Sequence, residues 1–349
     1  MDHALTTLAG ELRPMEAKLV DALPEGPGWQ FEPKWDGFRC LAFRSGGDVA
    51  LMAKSGKPLG RYFPEVEAML RALPQEPFVV DGELAIPTAG GLSFDALQMR
   101  LHPAQSRIRR LAAETPAILI LFDCLMTPGA PDLAAAPLAD RRAALEAFHA
   151  GVAAAAPRLR LSPCTRDRNE AKGWLDRSGG ALDGVIAKRR DGRYAPGERS
   201  MLKVKRLRSA DCVVGGFRYE QGTKVAGSLL LGLYDDAGLL HHVGFTSTLP
   251  KAERPALTRR LEAIAQPPGF TGDAPGGPSR WSTEKSAEWT PLRPELVVEV
   301  RYDHVGGGRF RHGTRLLRWR PDKAPRHCTF EQIAPPARAP ALVSALIGG

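Results

Sequence analysis

Beyond Arg208 the chain breaks into short apolar runs separated by turn residues, and this texture narrows the possible folds more than any other feature. Residues 211–219, 228–234, 239–245 and 296–302 are strand-like. One helical pattern interrupts them over 251–264, with Leu257, Leu261 and Ile264 at helical spacing. Residues 267–278 read as a Pro/Gly loop. Several short strands with one helix suit a small Greek-key barrel of the OB-fold type. The texture before Arg208 differs, because strands there alternate with helices. A length of 349 residues exceeds one ordinary core. Two domains are therefore predicted, 1–207 and 208–349, in an α+β chain.

In the first part, 38–44 and 49–53 read as strands around a Ser45-Gly46-Gly47 turn. Phe63-Pro64-Glu65 reads as a helix start, with Val66, Met69 and Leu70 as its buried stripe. Residues 78–84 form an apolar strand ending in acids, and 118–123 another, ending in Phe122-Asp123. The alanine-rich 134–156 is helical, with Leu138, Leu145 and Phe148 toward the core.

The chemistry concentrates in Phe31-Glu32-Pro33-Lys34-Trp35-Asp36-Gly37-Phe38-Arg39, predicted as a loop feeding the hairpin. Lys34 reads as a covalent nucleophile. A lysine amine is protonated near its reference value of about 10.4, and burial or nearby cations make it usable. Asp36 is near enough to orient the amine or help hold a metal. Gly37 admits close backbone approach, and Arg39 is a fork for phosphate or ribose hydroxyls. Alone, these residues also suit a surface turn. Glu83 can accept ribose hydroxyls or bind a hard cation, or simply end a strand in water. Phe122 is either a plate for a base or a core ring. Lys203 and Lys205 alternate along a strand and share a face, so they repel unless an anion lies between them. A polyphosphate is the natural anion.

The chain carries 48 Lys and Arg against 39 acids, a formal charge of +9, which favours a polyanionic partner. The cations cluster in two stretches interleaved with apolar residues, Lys188 to Arg208 and Arg309 to Arg326. No apolar run is long enough to span a bilayer, and residues 1–10 lack a secretion pattern, so a cytoplasmic location is expected. The five cysteines form no Cys-x-x-Cys pair, which argues for reduced thiols and against a zinc ribbon.

In order, these motifs resemble the ATP-dependent DNA ligases. Lys34-Trp35-Asp36-Gly37-Phe38-Arg39 is followed by Ser55-Gly56-Lys57, Phe63-Pro64-Glu65, Asp81-Gly82-Glu83-Leu84 and Phe122-Asp123. Asp183-Gly184-Val185-Ile186-Ala187-Lys188, Leu202-Lys203-Val204-Lys205 and Arg320-Pro321-Asp322-Lys323 complete the series. The layout is most similar to the small bacterial two-domain C-type repair ligases. The resemblance implies a nucleotidyltransferase (adenylation) domain with antiparallel sheets, followed by the barrel. It implies that Lys34 attacks the α-phosphorus of ATP and that Lys203 and Lys205 hold that phosphate. Phe122 would stack on adenine, Glu32 would lie near its amino group through backbone or carboxylate, and Arg39 and Glu83 would meet the ribose. Lys54 would add a point charge where many relatives have arginine. Asp183, with Glu83, would hold Mg²⁺ or Mn²⁺, although many relatives have glutamate at the Asp183 position. Met201 stands where tryptophan is frequent. Arg320 and Lys323, with Asp322, would orient pyrophosphate.

The implied substrate is nicked double-stranded DNA, met by a nucleoid-associated monomer. A Ku-type end-joining protein or a repair polymerase would be the protein partner. An RNA ligase or a capping-type nucleotidyltransferase shares the lysine, the paired lysines and often the barrel, but the Arg-x-Asp-Lys ending favours DNA. A non-enzymatic binding module would not need Lys34 and the carboxylates, and all are present.

Overall fold

Residues 9–89, 91–176, 182–276, 288–334 and 341–348 are described by the computed structural model. Contacts divide the chain into two units, Met1–Arg206 together with Pro336–Gly349, and Leu207–Pro335.

In the first unit the strands are β1 (Ala17–Leu19), β2 (Trp29–Trp35), β3 (Phe38–Ser45), β4 (Asp48–Ala53), β5 (Phe78–Ala85), β6 (Ile118–Met126), β7 (Leu159–Leu161), β8 (Leu182–Arg189) and β9 (Met201–Val204). Among the described residues they form two sheets, ordered β4-β3-β5-β6-β7 and β1-β9-β8-β2, beside a small hairpin of Pro87–Thr88 with Gly91–Leu92. Pairing is antiparallel except for β6 with β7 and β1 with β9. Strand alternation builds the layers. On β3, Cys40 and Ala42 join a core that also holds Val66 and Leu70 of the helix Pro64–Arg71 and Leu145 and Phe148 of the helix Leu138–Val152. Leu41 and Phe43 turn to the other face, where they meet Met15, Tyr194 and Met201. On β5, Val79 joins that second cluster, so Asp81 and Glu83 project from the same face.

Lys34 is not in a loop. It occupies β2, which pairs with β8 and, among the described residues, with no other strand, apart from a single bridge between Phe31 and Thr165. An edge position tolerates Pro33, which has no N–H to donate to a second neighbour. The alanine-rich helix is shorter than its composition suggested, Leu138–Val152, and begins after Pro137. Lys188, read as part of a basic stretch, is buried. That stretch is therefore not one continuous surface.

The expected second domain ran to residue 349, but the helix Ala341–Gly348 groups with the first unit. Its Val343 and Leu346 are buried in one cluster with Trp35, Leu92, Ile118, Ile120 and Phe122. An apolar helix needs an apolar seat, and the barrel has already closed on itself. Removing residues 341–349 should cost the first unit about 3–6 kcal/mol, the burial of a valine and a leucine. Denaturant unfolding measures this, and an unchanged midpoint would contradict the packing.

The second unit contains β10 (Arg208–Tyr219), β11 (Ala226–Tyr234), β12 (Leu240–Thr246), β13 (Val297–Tyr302) and β14 (Arg315–Trp319) in the order β12-β11-β10-β13-β14. A parallel bridge between Thr246 and Thr314 links the two ends. Thr314 N–H donates to the Phe245 carbonyl at 3.0 Å, and Leu316 N–H donates to Thr248 Oγ1 at 2.8 Å. With the helix Arg254–Glu262 between the third and fourth of these strands, this is the OB-fold arrangement. The helix is shorter than the predicted 251–264, starting beside Pro255. Gly307 and Gly308, both at positive φ, make the turn of a short hairpin. No helix among the described residues is long and apolar enough to cross a membrane.

Candidate nucleotide site

The cleft of the first unit is lined from both sheets and encloses about 810 Å³. Glu32 and Lys34 of β2, Arg39 of β3, Glu83 of β5, Phe122 of β6 and Lys203 of β9 all face it, with Lys54 just after β4. Asp183 pairs with Lys34 and also with Lys205, and neither Asp183 nor Lys205 is among the lining residues. Arg320 and Lys323 lie in the second unit.

The pairing of β2 with β8 contains a bulge. Trp35 pairs with Leu182 and Lys34 with Gly184, leaving Asp183 as the extra residue. A bulge re-aims the side chain it carries. Here the Asp183 carboxylate lies 2.5 Å from Lys34 Nζ and 3.1 Å from Lys205 Nζ. Gly184 makes the bulge possible. Its φ is +136°, and a Cβ there would fall 2.0 Å from the Val204 carbonyl oxygen. Gly37 is required for a different reason, since a Cβ would lie 2.2 Å from the Leu84 carbonyl oxygen.

Charge in the cleft is unevenly satisfied. Burial pushes the Lys203 ammonium below its usual value, and repulsion from Lys34, Lys205 and Lys54 adds to this. Lys54 pairs with Glu16 at 3.1 Å, and that hydrogen bond holds the Glu16 carboxyl below the usual range. Burial raises the Glu83 carboxyl to about 7, against the pull of Lys34 and Arg39.

Several other expected residues are also held by protein partners. The Glu32 carboxylate is 2% exposed and accepts from Lys188 Nζ at 2.7 Å and Gln30 Nε2 at 2.8 Å. Arg39 forks onto Asp81, with Nε–Oδ1 and Nη2–Oδ2 both at 2.5 Å, and stacks 4.5 Å from the centre of the Phe122 ring. In the second unit Arg320 donates to Asp211 and Asp322, both at 2.9 Å, and lowers the Asp322 carboxyl to about 2.

Asp81, Tyr194 and Lys188 had no assigned role from sequence, yet they hold the assigned residues in place. The available signal was Asp81 itself, an acid inside the apolar run Phe78-Val79-Val80-Asp81, which needs a buried cation. Tyr194 carried no signal, because its contact with Asp81 joins segments 113 residues apart.

Residues 12–205 match the family model described as ATP dependent DNA ligase domain, and residues 222–323 match the one described as ATP dependent DNA ligase C terminal region. DNA ligase C2 of Mycolicibacterium smegmatis is 45% identical over 348 residues, covering 95% of this chain and 96% of that protein. DNA ligase C of Mycobacterium tuberculosis is 44% identical over 338 residues, covering 93% and 94%. A solved structure from a structure–function analysis of Lig E DNA ligases has the same fold. It superposes with a TM-score of 0.53 at 16% identity, covering 87% of this chain and 99% of that one.

Proposed function

The chain belongs to the ATP-dependent DNA ligases, and from that footing we propose that it seals 5′-phosphate/3′-hydroxyl nicks through an adenylate on Lys34. The observation that carries this is Lys34 Nζ on the wall of the cleft, 2.5 Å from Asp183 Oδ2, with Lys203 facing the same space. An ammonium cannot attack phosphorus, so Lys34 reacts as the free amine. The amine then forms the N–P bond as the bond to pyrophosphate breaks. Lys203 and Lys205 meet the α-phosphate, which supplies the anion their repulsion calls for. Arg39 and Glu83 meet the ribose, and Phe122 stacks on adenine. The backbone of Glu32 lies by the adenine amino group, since its carboxylate is held elsewhere. Lys54 exchanges Glu16 for a phosphate oxygen. Arg320 and Lys323 serve the leaving pyrophosphate, as the resemblance implies. The DNA 5′-phosphate next takes AMP from Lys34, and the 3′-hydroxyl displaces AMP.

Asp183 and Glu83 would hold Mg²⁺ or Mn²⁺. No group of three acids, histidines or cysteines suited to a metal exists among the described residues. That donor set fits an ion that takes most of its ligands from phosphate and water. Such an ion neutralises charge on the transferred phosphoryl group. Nicked duplex DNA is the partner, in a repair setting where a Ku-type protein or a gap-filling polymerase presents the nick.

The deciding experiment is intact-protein mass spectrometry with ATP and Mg²⁺. The wild-type chain should gain one AMP, and a chain that never does would sink the proposal. Glu83 adds a pH dependence. Ionised above about 7, it can accept from a ribose hydroxyl, and protonated it accepts less well. Apparent ATP affinity should therefore rise between pH 6 and 8 in the wild type relative to Glu83→Gln. Parallel profiles for the two proteins would remove Glu83 from the ribose.

A further inference from the structure

Arg39 is held by more than its own carboxylate partner. Asp81 is fully buried, and both its oxygens accept from Arg39. The Tyr194 hydroxyl donates to Asp81 Oδ2 at 2.5 Å and accepts from the Met15 N–H at 3.1 Å. Arg39 Nη2 also donates to the Met15 carbonyl at 3.4 Å. These contacts close a ring: Tyr194, Asp81, Arg39, Met15 and back to Tyr194. Two of its members, Arg39 and Met15, line the cleft, whereas Tyr194 does not. A buried network of this kind fixes one geometry only while every member is satisfied.

We infer that Tyr194 is a positioning residue for the nucleotide: through Asp81 and Met15 it sets the direction in which Arg39 meets the ribose. The inference rests on the proposed role of Arg39 and deepens it. Without the hydroxyl, the Met15 N–H loses its acceptor and Asp81 Oδ2 loses a donor, so Arg39 is fixed by its fork alone. The segment Pro14 to Ala17, which forms one rim of the cleft, loosens with it.

Tyr194→Phe keeps the ring and removes only the hydroxyl. The KM for ATP in adenylylation should rise about tenfold, the scale of one hydrogen bond to a charged group. The preference for ATP over 2′-deoxy- or 3′-deoxy-ATP should shrink by a similar factor. The kcat of adenylylation should stay within about twofold, because at saturating ATP the ribose is already captured. Asp81→Asn should move the same parameters in the same direction, and the double variant should add little to the larger single effect. That second variant also reads the ring if Tyr194→Phe fails to fold. An unchanged KM in folded Tyr194→Phe would overturn the inference. So would equal losses for ATP and both deoxy analogues, which mark a purely structural hydroxyl. A wild-type chain that takes no AMP would overturn the ligase reading as well, whereas a normal wild-type adenylate beside an unaltered Tyr194→Phe would overturn this inference alone.

Discussion

Lys34→Ala should form no adenylate and seal no nick from ATP, while still folding and binding duplex DNA. The reaction requires a nitrogen with a free electron pair at this position, and alanine offers none. Lys34→Arg sharpens the test. It keeps a cation beside Asp183, but a guanidinium does not deprotonate in proteins and cannot form the N–P bond. Both variants should therefore fall below detection in adenylylation. Their affinity for DNA should stay within about twofold, because affinity rests on many phosphate contacts and this removes at most one. Sealing of a nick that already carries AMP should remain measurable, since that step displaces AMP from DNA and not from the lysine. An adenylate on Lys34→Ala, or one mapped to another residue of the wild type, would refute the assignment.

The sequence exposed the parts of this site whose chemistry is local. Lys34, Asp36, Gly37 and Arg39 lie within six positions, so their residue types suggested a nucleophile beside a phosphate or ribose contact, a reading that the later motifs had to separate from a surface turn. Lys203 and Lys205 could be paired from the two-residue period of a strand. The barrel was legible from short apolar runs and one helical stripe. What escaped was contact between distant segments. Lys34 looked like loop because Pro33 and Asp36-Gly37 are turn-formers. The strand exists because β8 supplies its hydrogen-bonding partner, and Pro33 sits at an edge. The bulge at Asp183 was equally hidden, since a glycine beside an acid is ordinary in sequence and only pairing shows the extra residue. The seat of the helix Ala341–Gly348 could not be read either, because an apolar octapeptide does not say which core it joins. Lys188 shows the reverse error: counted as basic surface, it is a buried counter-ion.

That buried lysine carries a large expected effect on both stability and the site. Lys188 Nζ lies 2.7 Å from Glu32 Oε2 and 3.8 Å from Asp123 Oδ2, and it donates to the Phe122 carbonyl at 3.0 Å. Asp123 also accepts from Arg141 Nε at 2.7 Å, and all four charged residues are buried. Burial alone would push the Asp123 carboxyl up, but Lys188 and Arg141 hold it below its usual value. A carboxyl depressed in the folded state contributes stability above its unfolded value of about 3.9, and that contribution is lost as pH falls through the folded value. This share of the stability should therefore persist until the pH falls below the ordinary carboxylate range. Lys188→Met leaves Glu32 as an uncompensated buried acid, which costs about 3–5 kcal/mol. For a unit of this size that is a fall of roughly 10 °C in Tm. Replacing Glu32 by Met as well should recover much of the loss, because an apolar pair of similar volume removes the stranded charge. The adenine side of the site should loosen in the single variant too, since Lys188 ties the Phe122 carbonyl to the strand that bears Lys34. Thermal unfolding of the wild type and the two variants, with ATP adenylylation beside it, tests both parts. A single variant as stable as the wild type would mean that the Glu32–Lys188 pair does not hold β2 to β8.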